Sequence, residues 1–469
     1  MKLASLSIAV VAALGAGQAF ATTQILNGAS ASQINVVKAL RTLCTTGAGT
    51  FKVYKTGSAL NSLGNIVTST CTGAAFTSDG VDQVRSNVAG GSLSAVINTA
   101  GYGNVAVARI DPAAATCTAL AAGTEVLSFL AAGEMLNCTT TGQVSQTGVG
   151  GFLDVEGGIF AANGLNLFGA DPAADFTQSS FLQAFAVGVS SSLYNTLQAY
   201  QTAQGQLDAS CATAAGTNPV VYTATGSTTP LCQPSVTRAQ MAAIINNVNN
   251  ASKKAGANFL IGGTTTTQTD LVGGTGGKAI AAAQLPALKT NITYCRRPNT
   301  SGTQASTQLY FLSSPTASGD PLGGQLQVSN PVLDGAAAVT YNTPVTTTVT
   351  MNSGTSDVKT CLNAAGYAIG TLSAENNPIG GTDTYRFVKV NGVSTTGGVA
   401  LDSNTTEAIA GRYDFVYETF KFCPGGLCAS VLDAVDGALP AGSSSPGLFL
   451  GSEGKANRGG KSTAPYIIK

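Results

Sequence analysis

The chain has 469 residues, with 23 basic and 23 acidic side chains and no histidine. A neutral chain with only 10% charged residues offers no basic field for nucleic acid or an anionic membrane. The missing histidine excludes Ser-His-Asp and Cys-His catalysis and histidine-ligated zinc or haem sites, while 44% apolar content at this length suits two or three domains or one two-lobed unit.

The N-terminus reads as a signal segment. Met1-Lys2 gives a positive start, Leu3 to Leu14 an apolar run, and Ala19-Phe20-Ala21 a cleavage pattern, so the mature chain is expected to begin at Thr22. Gln24 to Asn27 reads as a short strand and Gln33 to Cys44 as a helix, with Ile34, Val37, Leu40 and Leu43 at helical spacing. Between them lies a small-residue turn, Gly28-Ala29-Ser30-Ala31-Ser32. Phe51 to Tyr54 is a strand, Asn61 to Thr68 weakly helical, and Val81 to Val88 and Val105 to Ile110 are strands. A further glycine–hydroxyl turn, Ala89-Gly90-Gly91-Ser92, follows the third strand. Residues 111–150 read as an irregular insertion. Phe152-Leu153-Asp154 reads as a strand with the carboxylate at its C-terminal edge, where open α/β sheets place ligands.

In the second half, Phe181 to Val189 is a strand and Ser191 to Gln201 a helix. Thr237 caps a helix with Met241, Ile244 and Ile245 on its apolar face. Residues 263–278 form a Gly/Thr loop, Gln325 to Thr350 reads as β structure, and Thr360 to Ala365 as a short helix. Strands follow at Tyr367 to Leu372, Tyr385 to Val393 and Tyr413 to Phe420, and the tail from Ala441 reads as a mobile end. Strands alternating with helices favour a largely parallel α/β organisation. No later stretch is long and apolar enough to span a bilayer.

The even cysteine count points to disulfides. Proximity suggests Cys44–Cys71, Cys117–Cys138, Cys211–Cys232 and Cys423–Cys428, with one long link, Cys295–Cys361. There is no C-x-x-C pair to hold a metal. Ser356 to Lys359 and Ser452 to Lys455 match S-x-x-K, which in so serine-rich a chain reads as chance. Gly273 to Lys278 fails as a P-loop, with Val272 and Ala279 at two required positions.

The most informative stretch is Tyr294 to Thr303: a strand from Asn291 to Tyr294, a polar turn carrying Arg296 and Arg297, then Ser301-Gly302-Thr303 opening a helix over Gln304 to Leu312. A helix start with free N–H groups, hydroxyls and a nearby guanidinium suits an oxyanion. An ordinary capped helix with solvated arginines is the plain alternative.

Arg297 followed by Ser301-Gly302-Thr303 resembles the type 2 periplasmic binding proteins, specifically the phosphate-binding component of ABC transporters. Gly28-Ala29-Ser30-Ala31 looks like that family's first ligand turn, and Ala89-Gly90-Gly91-Ser92 like its second, with Gly57-Ser58 as the other candidate. Asp154 sits where the family has a buried aspartate, Thr237 to Ile245 resembles its helix after the second-lobe insertion, and Tyr367 to Asn376 its return strand. The resemblance implies a two-lobed α/β fold with an inter-lobe cleft. Residues 1–21 would be the signal, 22–182 and 366–440 lobe 1, 183–365 lobe 2, and 441–469 a tail. Closure would hinge near Phe185 and Tyr367.

The implied function is an exported, non-enzymatic binder of a small oxyanion, phosphate first, without cofactor or metal, partnered by the membrane component of an ABC transporter. Its ligand residues would be Ser30, Ala31, Gly91, Ser92, Asp154, Arg297, Ser301, Gly302 and Thr303. The competing reading is a secreted structural or matrix protein that keeps the fold without a ligand, in line with its low charge and many cysteines.

Overall fold

A computed structural model describes residues 22–76, 81–90, 94–97, 99, 107–157, 175–208, 211, 232–246, 292–298, 300–312, 338–341, 347–364, 366–378, 382–395, 406–426, 428–439, 447–459 and 466–469. The signal segment, the 263–278 loop, most of residues 325–346, and Gly91 and Ser92 therefore lie outside the described residues.

The strands are β1 (Thr22–Ala29), β2 (Thr50–Lys55), β3 (Val67–Phe76), β4 (Val81–Gly90), β5 (Val107–Ile110), β6 (Cys117–Ala119), β7 (Met135–Cys138), β8 (Gln143–Gln146), β9 (Gly150–Leu153) and β10 (Phe176–Val189). They continue with β11 (Ser235–Val236), β12 (Ile292–Arg296), β13 (Ala338–Tyr341), β14 (Thr347–Met351), β15 (Tyr367–Ser373), β16 (Arg386–Val390), β17 (Val416–Phe422), β18 (Leu448–Leu450), β19 (Ala456–Asn457) and β20 (Ile467–Ile468). The helices used below are α1 (Gln33–Thr46), α2 (Ser94–Ile97), α3 (Ser191–Ala203), α4 (Arg238–Asn246), α5 (Gly302–Leu312), α6 (Thr355–Leu362), α7 (Thr406–Ile409) and α8 (Ala429–Gly437).

The fold is mixed α/β, built on a 16-stranded sheet whose main path runs β13-β14-β12-β15-β10-β17-β9-β1-β4-β3-β2-β7-β6. The pairing corrects the largely parallel expectation. Pairs β1–β4, β1–β9, β12–β14 and β12–β15 are parallel, whereas every partner of β10 is antiparallel. The reason lies in the connections: β10 and β17 run across the middle of the molecule rather than closing a strand–helix–strand unit.

Strand β10 organises the interior. Through Ala184 it pairs with β17, and from Phe185 with β15, so Phe185 marks the exchange of partners. Its neighbours Phe181 and Leu182 enter different cores, as successive side chains of a strand must. One core gathers α3, α4 and α5 on β10, β12, β15, β16 and β17, and the other gathers α1 and α8 on β2, β3 and β4.

Helix α1 forms where expected, burying Val36, Val37, Leu40 and Cys44. Thr237 caps α4 reciprocally with Gln240: Gln240 N–H donates to Thr237 Oγ1 at 3.1 Å and Thr237 N–H to Gln240 Oε1 at 2.8 Å. All five disulfides join the cysteines that spacing suggested, and no described cysteine is free. Among the described residues no helix is long and apolar enough to cross a membrane, and no cluster of three potential metal ligands occurs.

Other expectations are corrected. Residues 61–66 form no helix, and β3 begins at Val67, paired on both edges and tied by Cys71 to α1. Residues 111–150 carry the short strands β6, β7 and β8. The helix placed at Thr360 begins at Thr355. The described part of the supposed mobile tail is paired instead: β18 adds to β10 at Phe181–Gln183, and Arg458 donates to the carbonyls of Val416 and Asp414, both at 2.9 Å.

Candidate functional site

Five strand ends converge. β1 ends at Ala29, β9 at Leu153, β12 at Arg296, β14 at Met351 and β15 at Ser373. The residues just beyond them are Ser30, Asp154, Arg297, Thr355 and Glu375. Within each group of parallel strands, β1 with β9 and β12 with β14 and β15, the C-terminal ends share one sheet edge. The first turn is held close to its neighbour. Gly28 has φ +143°, and a Cβ there would lie 2.2 Å from the carbonyl oxygen of Phe152, so no other residue brings Ser30 and Asp154 together this way.

Arg297 is the centre. It is 2% exposed, and its Nη1 donates to Ser30 Oγ at 3.2 Å and to Thr355 Oγ1 at 3.1 Å. Those two hydroxyls are themselves 3.2 Å apart. The backbone N–H of Arg297 donates to Gln304 Oε1 at 3.1 Å, which fixes the turn on the first coil of α5. Nε and Nη2 have no hydrogen-bond partner. These two nitrogens form the side-on edge of the guanidinium, the fork that grips a carboxylate or phosphate with two parallel N–H groups. Burial lowers the Arg297 pKa to about 10, and the Asp154 and Asp357 carboxylates act against that fall.

Helix α6 supplies the opposite wall. Asp357 Oδ2 accepts from the Gly354 N–H at 2.8 Å, capping the helix that presents Thr355. The Cys295–Cys361 disulfide ties this helix to β12, two residues before Arg297. A cavity of about 60 Å³ opens beside the two hydroxyls, with Ser30, Asn65, Thr355, Lys359, Glu375 and Asp383 among its lining residues. Lys359 is already paired with Asp383 at 2.7 Å. Glu375 is 3% exposed, and burial holds its carboxyl well above the usual range, with Asp154 adding to the rise.

The expected site residues divide accordingly. Ser30 and Arg297 are in contact, and Asp154 is buried close enough to act on Arg297. Ala31 is buried in the first turn. Gly302 and Thr303 are buried in the first turn of α5. The Ser301 hydroxyl caps its own helix, accepting from Gln304 N–H at 3.5 Å. Gly91 and Ser92 lie outside the described residues, although β4 ends at Gly90 directly beside Ala29. Of the adjacent arginines, Arg296 turns its Nε to the Arg297 carbonyl at 2.9 Å.

Sequence reasoning missed Thr355, Asp357 and Glu375. A signal existed for the first two: Ser353-Gly354-Thr355-Ser356-Asp357 is another glycine–hydroxyl turn opening a helix. Its overlap with a chance S-x-x-K match, and the helix placed five residues late, obscured it.

No family model matches the chain, and no curated protein matches it. A match among solved structures is a protein from Clostridium perfringens assigned as a phosphate ABC transporter substrate-binding protein, crystallised with bound phosphate. It is 12% identical, covers 59% of this chain and 74% of its own, and superposes with a TM-score of 0.28, a remote likeness.

Proposed function

We propose that this chain binds a small oxyanion, phosphate first, on the side-on fork of Arg297. The observation that supports it is a buried guanidinium with Nε and Nη2 unpartnered, while Nη1 orders two hydroxyls. A buried charged donor left without a partner costs about 1–3 kcal/mol or more, a cost an incoming oxyanion would relieve. Ser30 and Thr355 would donate to the ligand, and Gly91 and Ser92 are candidates for the same role. Asp154 would accept from a protonated ligand oxygen, favouring phosphate over fully deprotonated sulfate. The five disulfides fit an exported binder. In that role the loaded chain would hand its anion to the membrane component of an ABC transporter, with residues 22–182 and 366–440 as one lobe and 183–365 as the other.

Calorimetry with phosphate, sulfate and acetate tests this. Phosphate is expected to bind tightest. Equal affinity for sulfate removes the role of Asp154, and no binding of any of the three overturns the oxyanion reading and leaves the structural one.

A further inference from the structure

The Cys423–Cys428 pair closes the shortest disulfide loop of the chain, five residues apart against 21 to 66 for the others. The intervening 3-10 turn Pro424–Gly426 has no buried residue. Gly425 and Gly426 hold φ +66° and +74°, and a Cβ on either would meet nothing within 4 Å. Cys423 is half-buried at the base of this open turn, whereas Cys428 is fully buried. Cys428 Sγ lies 3.3 Å from the Val149 carbonyl oxygen, and a Cβ on Gly150 would come within 2.8 Å of it. A reagent in solvent therefore reaches Cys423 Sγ and not Cys428 Sγ.

The leaving sulfur matters as much as the attacked one, because a stabilised thiolate leaves faster. Cys428 is the N-cap of α8, with no side chain capping that helix and no acid in its first turn. The partial positive charge of the helix start therefore faces a sulfur anion at the cap. Once that sulfur takes a proton from solvent, the Val149 carbonyl is placed to accept from it. Cys428 N–H donates to Cys423 Sγ at 2.9 Å, so the second sulfur also has a donor. Two other disulfides offer a half-buried sulfur, at Cys117 and Cys361. Their partners, Cys138 in β7 and Cys295 in β12, are buried within strands rather than at a helix start. Opening those pairs also frees longer loops. When Cys423–Cys428 opens, α8 stays anchored by Asp436, which accepts from Ser180 N–H and Lys421 Nζ, both at 3.1 Å.

We propose that Cys423–Cys428 is a thiol-exchange site whose co-reactant is a low-molecular-weight thiol, set among four disulfides that are structural. The incoming thiolate forms a bond to Cys423 Sγ, the Sγ–Sγ bond breaks, and its electron pair leaves on Cys428 Sγ. The product is a mixed disulfide on Cys423 with a thiolate at the cap of α8. In the reverse step Cys428 Sγ attacks Cys423 Sγ, expels the small thiol and restores the pair. One disulfide and one thiolate stand on each side of the exchange, so no further oxidant or reductant is needed. The site stands apart from the oxyanion reading, and none of its residues lines the cavity beside Ser30 and Thr355.

The test treats the folded full chain with reduced glutathione, quenches with acid, unfolds it, and alkylates every free thiol before peptide mass mapping. Glutathione is expected on Cys423 with Cys428 alkylated, about tenfold ahead of any modification at the other four pairs. A second glutathione would then release Cys423, leaving both sulfurs of this pair alkylated, again ahead of the rest. Three outcomes overturn the proposal: Cys117 or Cys361 taking up glutathione as early, glutathione on Cys428 in place of Cys423, or modification only where the chain unfolds. Ser430→Asp tests the helix. A carboxylate in the first turn of α8 favours the helix but opposes a thiolate at its cap, so exchange at Cys423 should slow about threefold while the thermal midpoint stays level or rises. An unchanged rate in that variant overturns the role of α8.

Discussion

Arg297 and Arg458 show two uses of one side chain in one molecule. Arg458 is built into the protein. Its Nε and Nη2 both donate to backbone carbonyls, its backbone N–H donates to Glu418, and its guanidinium lies 4.5 Å from the Tyr417 ring centroid and 5.5 Å from that of Tyr466. The very fork that Arg458 fills with the carbonyls of Val416 and Asp414 stands unfilled on Arg297, which is the more deeply buried of the two. One arginine clamps a chain end by its complete set of contacts. The other is positioned by its neighbours and left with its best recognition edge unused, an arrangement that favours binding over stability.

The largest effect expected from this contrast is on Arg297. Arg297→Met should weaken phosphate binding by about a thousandfold, roughly 4 kcal/mol, by calorimetry. Its thermal midpoint should fall as well, because the buried Asp154 carboxylate that acts on Arg297 would lose its cation. A fall in stability with binding unchanged would make Arg297 a second Arg458. Arg458→Ala should lower stability alone, by about 2 kcal/mol through lost charge-assisted hydrogen bonds and ring contacts, with phosphate affinity unchanged. Denaturant unfolding measures the first and calorimetry the second. The smallest effect is that of Thr355→Val. It removes one hydroxyl from Arg297 and should cost about 1 kcal/mol of binding, roughly fivefold. Wild-type affinity in that variant would place the ligand away from α6.

How far the sequence carried these results differs by region. The disulfides were legible, since four of them close short loops and leave Cys295 and Cys361 as the remaining pair. Arg297 and Ser30 were legible because a strand end followed by a glycine–hydroxyl turn is a local pattern, and they meet across 267 residues. Strand β3 was hidden. Val-Thr-Ser-Thr-Cys-Thr-Gly-Ala-Ala-Phe has little apolar alternation, and its register is imposed by β2 and β4 on either side. Glu375 was illegible for a deeper reason. Nothing local marks a glutamate as buried, and its burial is created by α1, β15 and the tail together. The empty fork of Arg297 is likewise a property of assembled neighbours. A sequence names the donor but not which of its N–H groups find partners.

The central placement of β10 has a consequence for how the molecule comes into being. Gln183 Nε2 donates to the carbonyl of Gly447 at 2.8 Å, across 264 residues, and β17 and β18 both come from the final stretch of the chain. While the polypeptide is still emerging, the segment Phe181–Ala184 has no partner on those edges. It must remain unpaired until the last strands arrive. Assembly dominated by such distant pairings is slow, and an open apolar edge invites the same segment of another chain. The segment that completes the core is thus also the one most exposed to misassociation before the chain is finished.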